Sequence, residues 1–161
     1  MKNKTLQLTR AALIAALYVI LTFLAQLFGL ASGVIQFRLS EILTGMPLFY
    51  KEAIPGLWVG CVLANLLTGC ALWDIVFGSV ATLLGALGTY YLGRKKPLLG
   101  PLFPILANML IVPAVLQHVY GAPDSYWYLM ATVGIGEIVC CGLGGMLLYR
   151  AYKAHATHIG I

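Results

Sequence analysis

The run Ala11-Ala-Leu-Ile-Ala-Ala-Leu-Tyr-Val-Ile-Leu-Thr-Phe-Leu-Ala-Gln-Leu-Phe-Gly-Leu30 decides the fold class. It carries no charge, and at 1.5 Å per residue about 20 residues cross the roughly 30 Å of hydrocarbon in a bilayer. Lys2, Lys4 and Arg10 precede it, as basic residues precede the core of a signal peptide, and Leu30-Ala-Ser-Gly33 supplies small residues after it. A signal peptide's apolar core is only about 7–15 residues long. The run is therefore expected to be retained as a first membrane span. Within it Ala11/Ala15 and Ala12/Ala16 are two small-xxx-small pairs, which let another helix approach closely. The spacing fits packing inside this chain and a docking face for a partner equally well.

Beyond a short loop stands Val34-Ile-Gln-Phe-Arg-Leu-Ser-Glu-Ile-Leu-Thr-Gly-Met-Pro47. An unpaired charge at membrane depth is costly, so Arg38 and Glu41 demand an account. On a helix their i, i+3 spacing sets them one turn apart on one face. Two readings follow: the rim of a polar ligand pocket, or an ion pair near the membrane interface.

Composition extends the reading to the whole chain. Of 161 residues 61% are hydrophobic and 9% charged, with a mean hydropathy of +0.92. Soluble domains are about 25% charged, so this is expected to be an all-α integral membrane protein in contact with the lipid bilayer. The net charge of +5 does not indicate nucleic acid, because the basic residues sit at the ends of apolar runs and form no stripe with interleaved aromatics. Cys61, Cys70, Cys140 and Cys141 show no zinc or redox spacing and read as small buried residues. No metal is expected.

Six spans are expected: about 10–30, 36–50, 53–68, 72–92, 98–119 and 126–149. The second is short for a crossing, and Pro113 should kink or open the fifth. Residues 1–150 are read as one six-helix transmembrane domain and 151–161 as a polar, loose cytoplasmic tail. With both termini inside, Lys2, Lys4, Arg10, Lys51, Arg94, Lys95, Lys96, Arg150 and Lys153 are cytoplasmic and only Arg38 is outside. That asymmetry follows the positive-inside rule and checks the span count.

Placed by depth, Gln26, Gln36, Arg38, Glu41, Asn65, Asp74, Gln117, His118, Tyr126 and Trp127 fall toward the outer side. Asn108 and Glu137 fall near the midplane. Asp74 also suits a helix cap, and Tyr126, Trp127 and Tyr128 suit interface anchors as well as a stacking role. A carboxylate alone at the midplane points to a ligand or a helix-bridging contact. Polarity converges on an outward cavity that stops about halfway. A channel needs a polar path right through, and a secondary transporter usually shows an internal repeat. A self-sufficient small transporter or channel stays as the alternative. An intramembrane enzyme would need a nucleophile, a catalytic pair or a metal cluster at depth, so no enzymatic activity is expected.

Four stretches carry a family likeness: Arg10-Ala-Ala-Leu-Ile-Ala-Ala-Leu-Tyr18, Gln36-Phe-Arg-Leu-Ser-Glu41, Ala53-Ile-Pro-Gly-Leu-Trp-Val-Gly-Cys-Val-Leu-Ala-Asn65 and Asp74-Ile-Val-Phe-Gly-Ser-Val-Ala-Thr-Leu-Leu83. With its six-span pattern the chain resembles the substrate-binding (S) components of energy-coupling factor (ECF) transporters, and within them the queuosine-precursor group, QueT, over most of residues 8–150. The resemblance implies an S-component-like bundle in the plasma membrane that binds substrate from outside. It implies partners: a transmembrane coupling subunit and two cytoplasmic ATPase subunits, which use the ATP, with no cofactor in this chain. Ala11, Ala12, Ala15 and Ala16 match the family's docking face. The implied substrate is 7-aminomethyl-7-deazaguanine or a related deazapurine. For such a ligand Glu41, Asp74 and Glu137 are candidate partners of the N–H edge and the ammonium. Asn65, Asn108 and Gln117 suit its carbonyl and remaining ring atoms, and Trp127 or Tyr126 suits stacking. Arg38 is expected to hold Glu41 in place.

Overall fold

The computed structural model describes residues 2–31 and 35–159. The described residues are helical with connecting turns. Helix α1 is Lys2–Leu27, α2 Ala53–Leu67, α3 Leu72–Tyr91, α4 Leu102–His118, α5 Tyr126–Glu137 and α6 Gly145–Ile159. A 3-10 helix, Leu39–Leu48, lies between α1 and α2, and a π segment, Ile138–Gly144, joins α5 to α6. Four stretches are long and apolar enough to cross a membrane: Lys4–Leu27, Leu72–Lys95, Pro97–His118 and Tyr126–His155. Helix α2 is apolar but shorter, at 15 residues, or about 22 Å. Large apolar side chains such as Leu27, Leu98, Leu143 and Leu147 project outward. That is the surface of a chain whose solvent is lipid.

Glycine sets two of the helix ends. Gly29 (φ +68°) and Gly69 (φ +74°) adopt the left-handed conformation. Around each, two backbone bonds close the helix: Gly29 N–H to Gln26 and Leu30 N–H to Ala25, then Gly69 N–H to Leu66 and Cys70 N–H to Asn65. These are Schellman ends, which favour glycine because it has no Cβ to clash. They stop α1 at Leu27, short of the Leu30 expected from hydropathy.

Helices α1 to α4 pack on one another in chain order and α5 packs on α4. The 3-10 helix lies against α1, α2, α3, α6 and the π segment, so it runs through the middle of the bundle. It is the second of the expected crossings, and its form explains its brevity. A 3-10 helix rises about 2.0 Å per residue against 1.5 Å for an α-helix. Ten residues then span about 20 Å. Such poorly bonded backbone is tolerated at membrane depth where protein covers it, and Ser40, Glu41, Leu43, Thr44, Gly45, Pro47 and Leu48 are all buried. The three-residue period stacks Glu41, Thr44 and Pro47 on one line. At Gly45 the chain meets α6 so closely that a Cβ would stand 2.9 Å from the Gly145 carbonyl oxygen.

The last helix corrects the expectation of a loose tail from residue 151. Helix α6 continues to Ile159. Tyr149 and Tyr152, three residues apart on one face, meet Phe49 and Tyr50: Phe49 and Tyr149 stack at 5.2 Å, and the Tyr50 and Tyr152 hydroxyls share a hydrogen bond. Helix α4 runs from Leu102 to His118 with Pro113 inside it, and follows a 3-10 turn, Pro97–Leu99.

Candidate functional site

At the end of the bundle opposite Arg10, Lys51 and Arg94 lies a cavity of about 370 Å³, within the range of small-molecule sites. Tyr18, Thr22 and Gln26 of α1, Arg38 and Ser40, Asn65 and Thr68 of α2, Asp74 of α3 and Tyr120 after α4 line it. Asn65 and Asp74 come together because Gly78 leaves room. A Cβ there would lie 3.2 Å from Asn65 Nδ2 and 3.3 Å from Asp74 Oδ1. Asp74 does not cap α3. Ala71 is the N-cap, and the Asp74 carboxylate instead accepts a hydrogen bond from the Tyr120 hydroxyl at 3.1 Å. That hydroxyl in turn accepts from the Ala71 N–H at 3.0 Å. Partial burial, the larger influence, and the Asp74 charge push the Tyr120 phenol up from its ordinary value, so it stays a donor at neutral pH.

Beneath the cavity the polar groups are sealed. Glu41, 0% exposed, Glu137, 2%, and Asn108, 0%, come from the 3-10 helix, α5 and α4. Tyr18 donates to Glu41 Oε1 at 2.5 Å and Thr82 donates to the same oxygen at 3.2 Å. The Cys141 thiol, one turn on in the π segment, donates to Glu137 Oε2 at 3.0 Å. A carboxylate oxygen of Glu41, one of Glu137 and the Cys141 sulfur all lie within 4.8 Å of one another. Two unit charges at that separation repel by about 3.5 kcal/mol at an effective dielectric of 20. Glu41 Oε2 and Asn108 Oδ1 are buried without a hydrogen-bond partner among the described residues. Three protein groups, one of them a thiol, fall short of the four that close a structural zinc site. Below this layer the core is apolar, with Leu43, Ala53, Ile54, Leu57 and Ala86.

Several expected site residues therefore converge, in two tiers. Arg38, Asn65 and Asp74 line the cavity, while Glu41, Asn108 and Glu137 lie under it. Two residues stand apart. Trp127 is 72% exposed and packs edge-on against Tyr126, and Gln117 donates to the Asp124 carbonyl at 3.0 Å. Neither lines the cavity. The pairing of Arg38 with Glu41 also needs correction. Arg38 precedes the 3-10 helix with φ −91° and ψ 87°, so the two are not on one helical face. Among the described residues the ion pair is Arg10–Glu52, at 3.2 Å. Glu41 is held by the Tyr18 and Thr82 hydroxyls, and Arg38 forms no ion pair among the described residues. Tyr18, Thr82, Cys141 and Tyr120 belong to the site without having been singled out. A hydroxyl or thiol inside an apolar run has no signal of its own. Only its i, i+4 partners, as for Cys141 and Glu137, could have pointed to it.

At the basic end the alanine pairs separate. Ala11 and Ala15 face α2: a Cβ on Gly56 would lie 2.7 Å from the Ala11 carbonyl oxygen, and one on Gly60 3.0 Å from Ala15 Cα. Ala12 and Ala16 are exposed. An apolar groove of about 860 Å³ runs here, and its walls include Leu8, Ala11, Ala12, Ala15, Pro55 and Leu87.

Residues 8–154 match the family described as the QueT transporter. The chain is also 30% identical, over 163 residues, to the queuosine precursor transporter QueT of Lactococcus lactis subsp. cremoris (strain MG1363), covering 94% of this chain and 95% of that protein. No solved structure matches. The likeness spans every helix of a bundle already marked by its apolar surface as a multi-pass protein of the cell membrane, and the chain belongs to the QueT transporter family.

Proposed function

We propose that this chain is the substrate-binding subunit of an ATP-driven ECF importer, and that it takes up a queuosine precursor, 7-aminomethyl-7-deazaguanine or a related deazapurine, from outside the cell. It crosses the membrane six times with both termini in the cytoplasm, and a coupling subunit and two ATPases act on it from that side, where the ATP is used. One observation carries the substrate class: Asp74 and the guanidinium of Arg38 line a cavity of about 370 Å³, and two further carboxylates, Glu41 and Glu137, are buried beneath it. That excess suits a small ligand bearing an ammonium and an edge of N–H donors. In this reading Asp74 and Asn65 receive the ligand at the cavity wall, and Glu41, Glu137 and Asn108 receive its charged end when Tyr18 and Arg38 make way. Support for a subunit moved by others comes from the apolar core beneath Glu41 and Glu137 and from an apolar groove lined by Ala11, Ala12 and Ala15.

The test is ligand-dependent melting of the purified chain in detergent. A ligand at 100 times its dissociation constant stabilises the folded state by about 2.7 kcal/mol. The expected result is a raised melting temperature with 7-aminomethyl-7-deazaguanine and none with unrelated vitamins. A shift with a vitamin alone would overturn the substrate. Uptake by the isolated chain in vesicles without ATPases would favour a self-sufficient transporter.

A further inference from the structure

Glu41 and Glu137 are buried side by side, and the groups facing them come from every surrounding element. These are Tyr18 from α1, Cys61 from α2, Thr82 from α3, Asn108 from α4, Cys140 and Cys141 from the π segment, and Arg38 from the connection before the 3-10 helix. Of these only Arg38 is a permanent cation, and its strongest carboxylate neighbour is Asp74. Two independent facts say what the pair lacks. Among the described residues Glu41 Oε2 has no partner, and neither has Oδ1 of Asn108, a fully buried amide that meets Glu137. Both orphans are acceptors. The layer is therefore short of donors and of positive charge. Tyr18 and Arg38 belong to both tiers, since they line the cavity and act on Glu41, so the pair lies one side chain below the cavity floor.

We propose that Glu41 and Glu137 form a site for a single positive charge, filled by one shared proton in the empty protein and by the ligand's ammonium in the loaded one. The second half rests on the substrate reading above. In the empty state one carboxyl of the pair carries the proton, which removes the repulsion between two carboxylates held within 4.8 Å. When an ammonium enters with its own N–H donors, the proton leaves to water. One positive charge departs and one arrives, so the buried charge is unchanged and no co-reactant is required. Binding of an ammonium ligand therefore tightens by up to about tenfold per pH unit while the empty site still holds its proton. An uncharged analogue gains nothing from the exchange.

The chain has five acidic side chains, Glu41, Glu52, Asp74, Asp124 and Glu137, which makes infrared assignment direct. The full chain in detergent, empty and at neutral pH, is expected to show the C=O stretch of one protonated carboxyl, shifted in D2O. Its absence from the wild-type protein would overturn the proposal, whether or not any variant folds. The band should vanish in Glu41→Gln and in Glu137→Gln and persist in Asp74→Asn. Persistence in both glutamine variants would overturn it equally. Adding 7-aminomethyl-7-deazaguanine should remove the band, and adding uncharged 7-deazaguanine should not. Binding of the aminomethyl compound with the band intact would overturn the exchange. A band in the empty protein with no deazapurine raising the melting temperature would sustain the shared proton and end the substrate reading instead.

Discussion

Tyr18 bears most on Glu41. Its hydroxyl supplies the shorter of the two bonds to Glu41 Oε1, and the other comes from Thr82. Losing one partner of a buried charged group costs about 1–3 kcal/mol or more, because the charge keeps its desolvation penalty. Tyr18→Phe should therefore lower the thermal stability of the empty protein by that amount, measured by melting in detergent. An unchanged melt would show that Thr82 alone satisfies the carboxylate. At this scale the acidic groups were legible and their partners were not. Arg38, Glu41, Asp74 and Glu137 announce themselves because a charge in an apolar run needs a reason. Tyr18, Thr82 and Cys141 do not, because each is also an ordinary residue of a membrane helix. Trp127 misled for the opposite reason: an aromatic at the membrane interface reads the same whether it faces lipid or a ligand, and here it is exposed.

Among the elements, α1 and the 3-10 helix separate packing from docking. The pairs Ala11/Ala15 and Ala12/Ala16 have the same spacing, yet Ala11 and Ala15 meet α2 as well as lining the groove, while Ala12 and Ala16 are exposed. Gly56→Val would drive a side chain into the Ala11 carbonyl, which stands 2.7 Å from the nearest added atom. Overpacking of this kind costs about 1–3 kcal/mol, and the melt should drop accordingly. Ala12 is exposed, so Ala12→Leu should leave the melt within about 0.5 kcal/mol. On the proposed docking role it should abolish co-purification of the coupling subunit. Retained co-purification at wild-type yield would remove that role from the exposed pair. The 3-10 helix shows where local reading stops. Pro47 and Gly45 mark the stretch as a poor α-helix, but only the surrounding helices, which bury most of it, make an extended 3-10 helix inside the bundle tolerable.

At the scale of the molecule, basic residues gather at one end and the polar cavity opens at the other. Arg10 pairs with Glu52 and lies over Tyr50, and Arg94 lies over Tyr90, while Asp74, Asn65 and Gln36 line the opposite end. The proposed orientation puts the first group in the cytoplasm. A single reporter cysteine at Ala122, in a background without the native cysteines, should react with an impermeant reagent from outside intact cells. One at Lys95 should react only after permeabilisation, and the reverse pattern would invert the topology. The sequence by itself determined the class of this protein: apolar runs of membrane length, basic residues at their ends and a few acids at depth follow from the cost of moving charge into hydrocarbon, which every residue meets on its own. Only the tertiary structure decided which alanines meet α2, that residues 39–48 form a 3-10 helix inside the bundle, and that Glu41 and Glu137 come together beneath the cavity. Those features depend on which helices become neighbours, and neighbours are set by close packing between segments far apart in the chain, which no local pattern records.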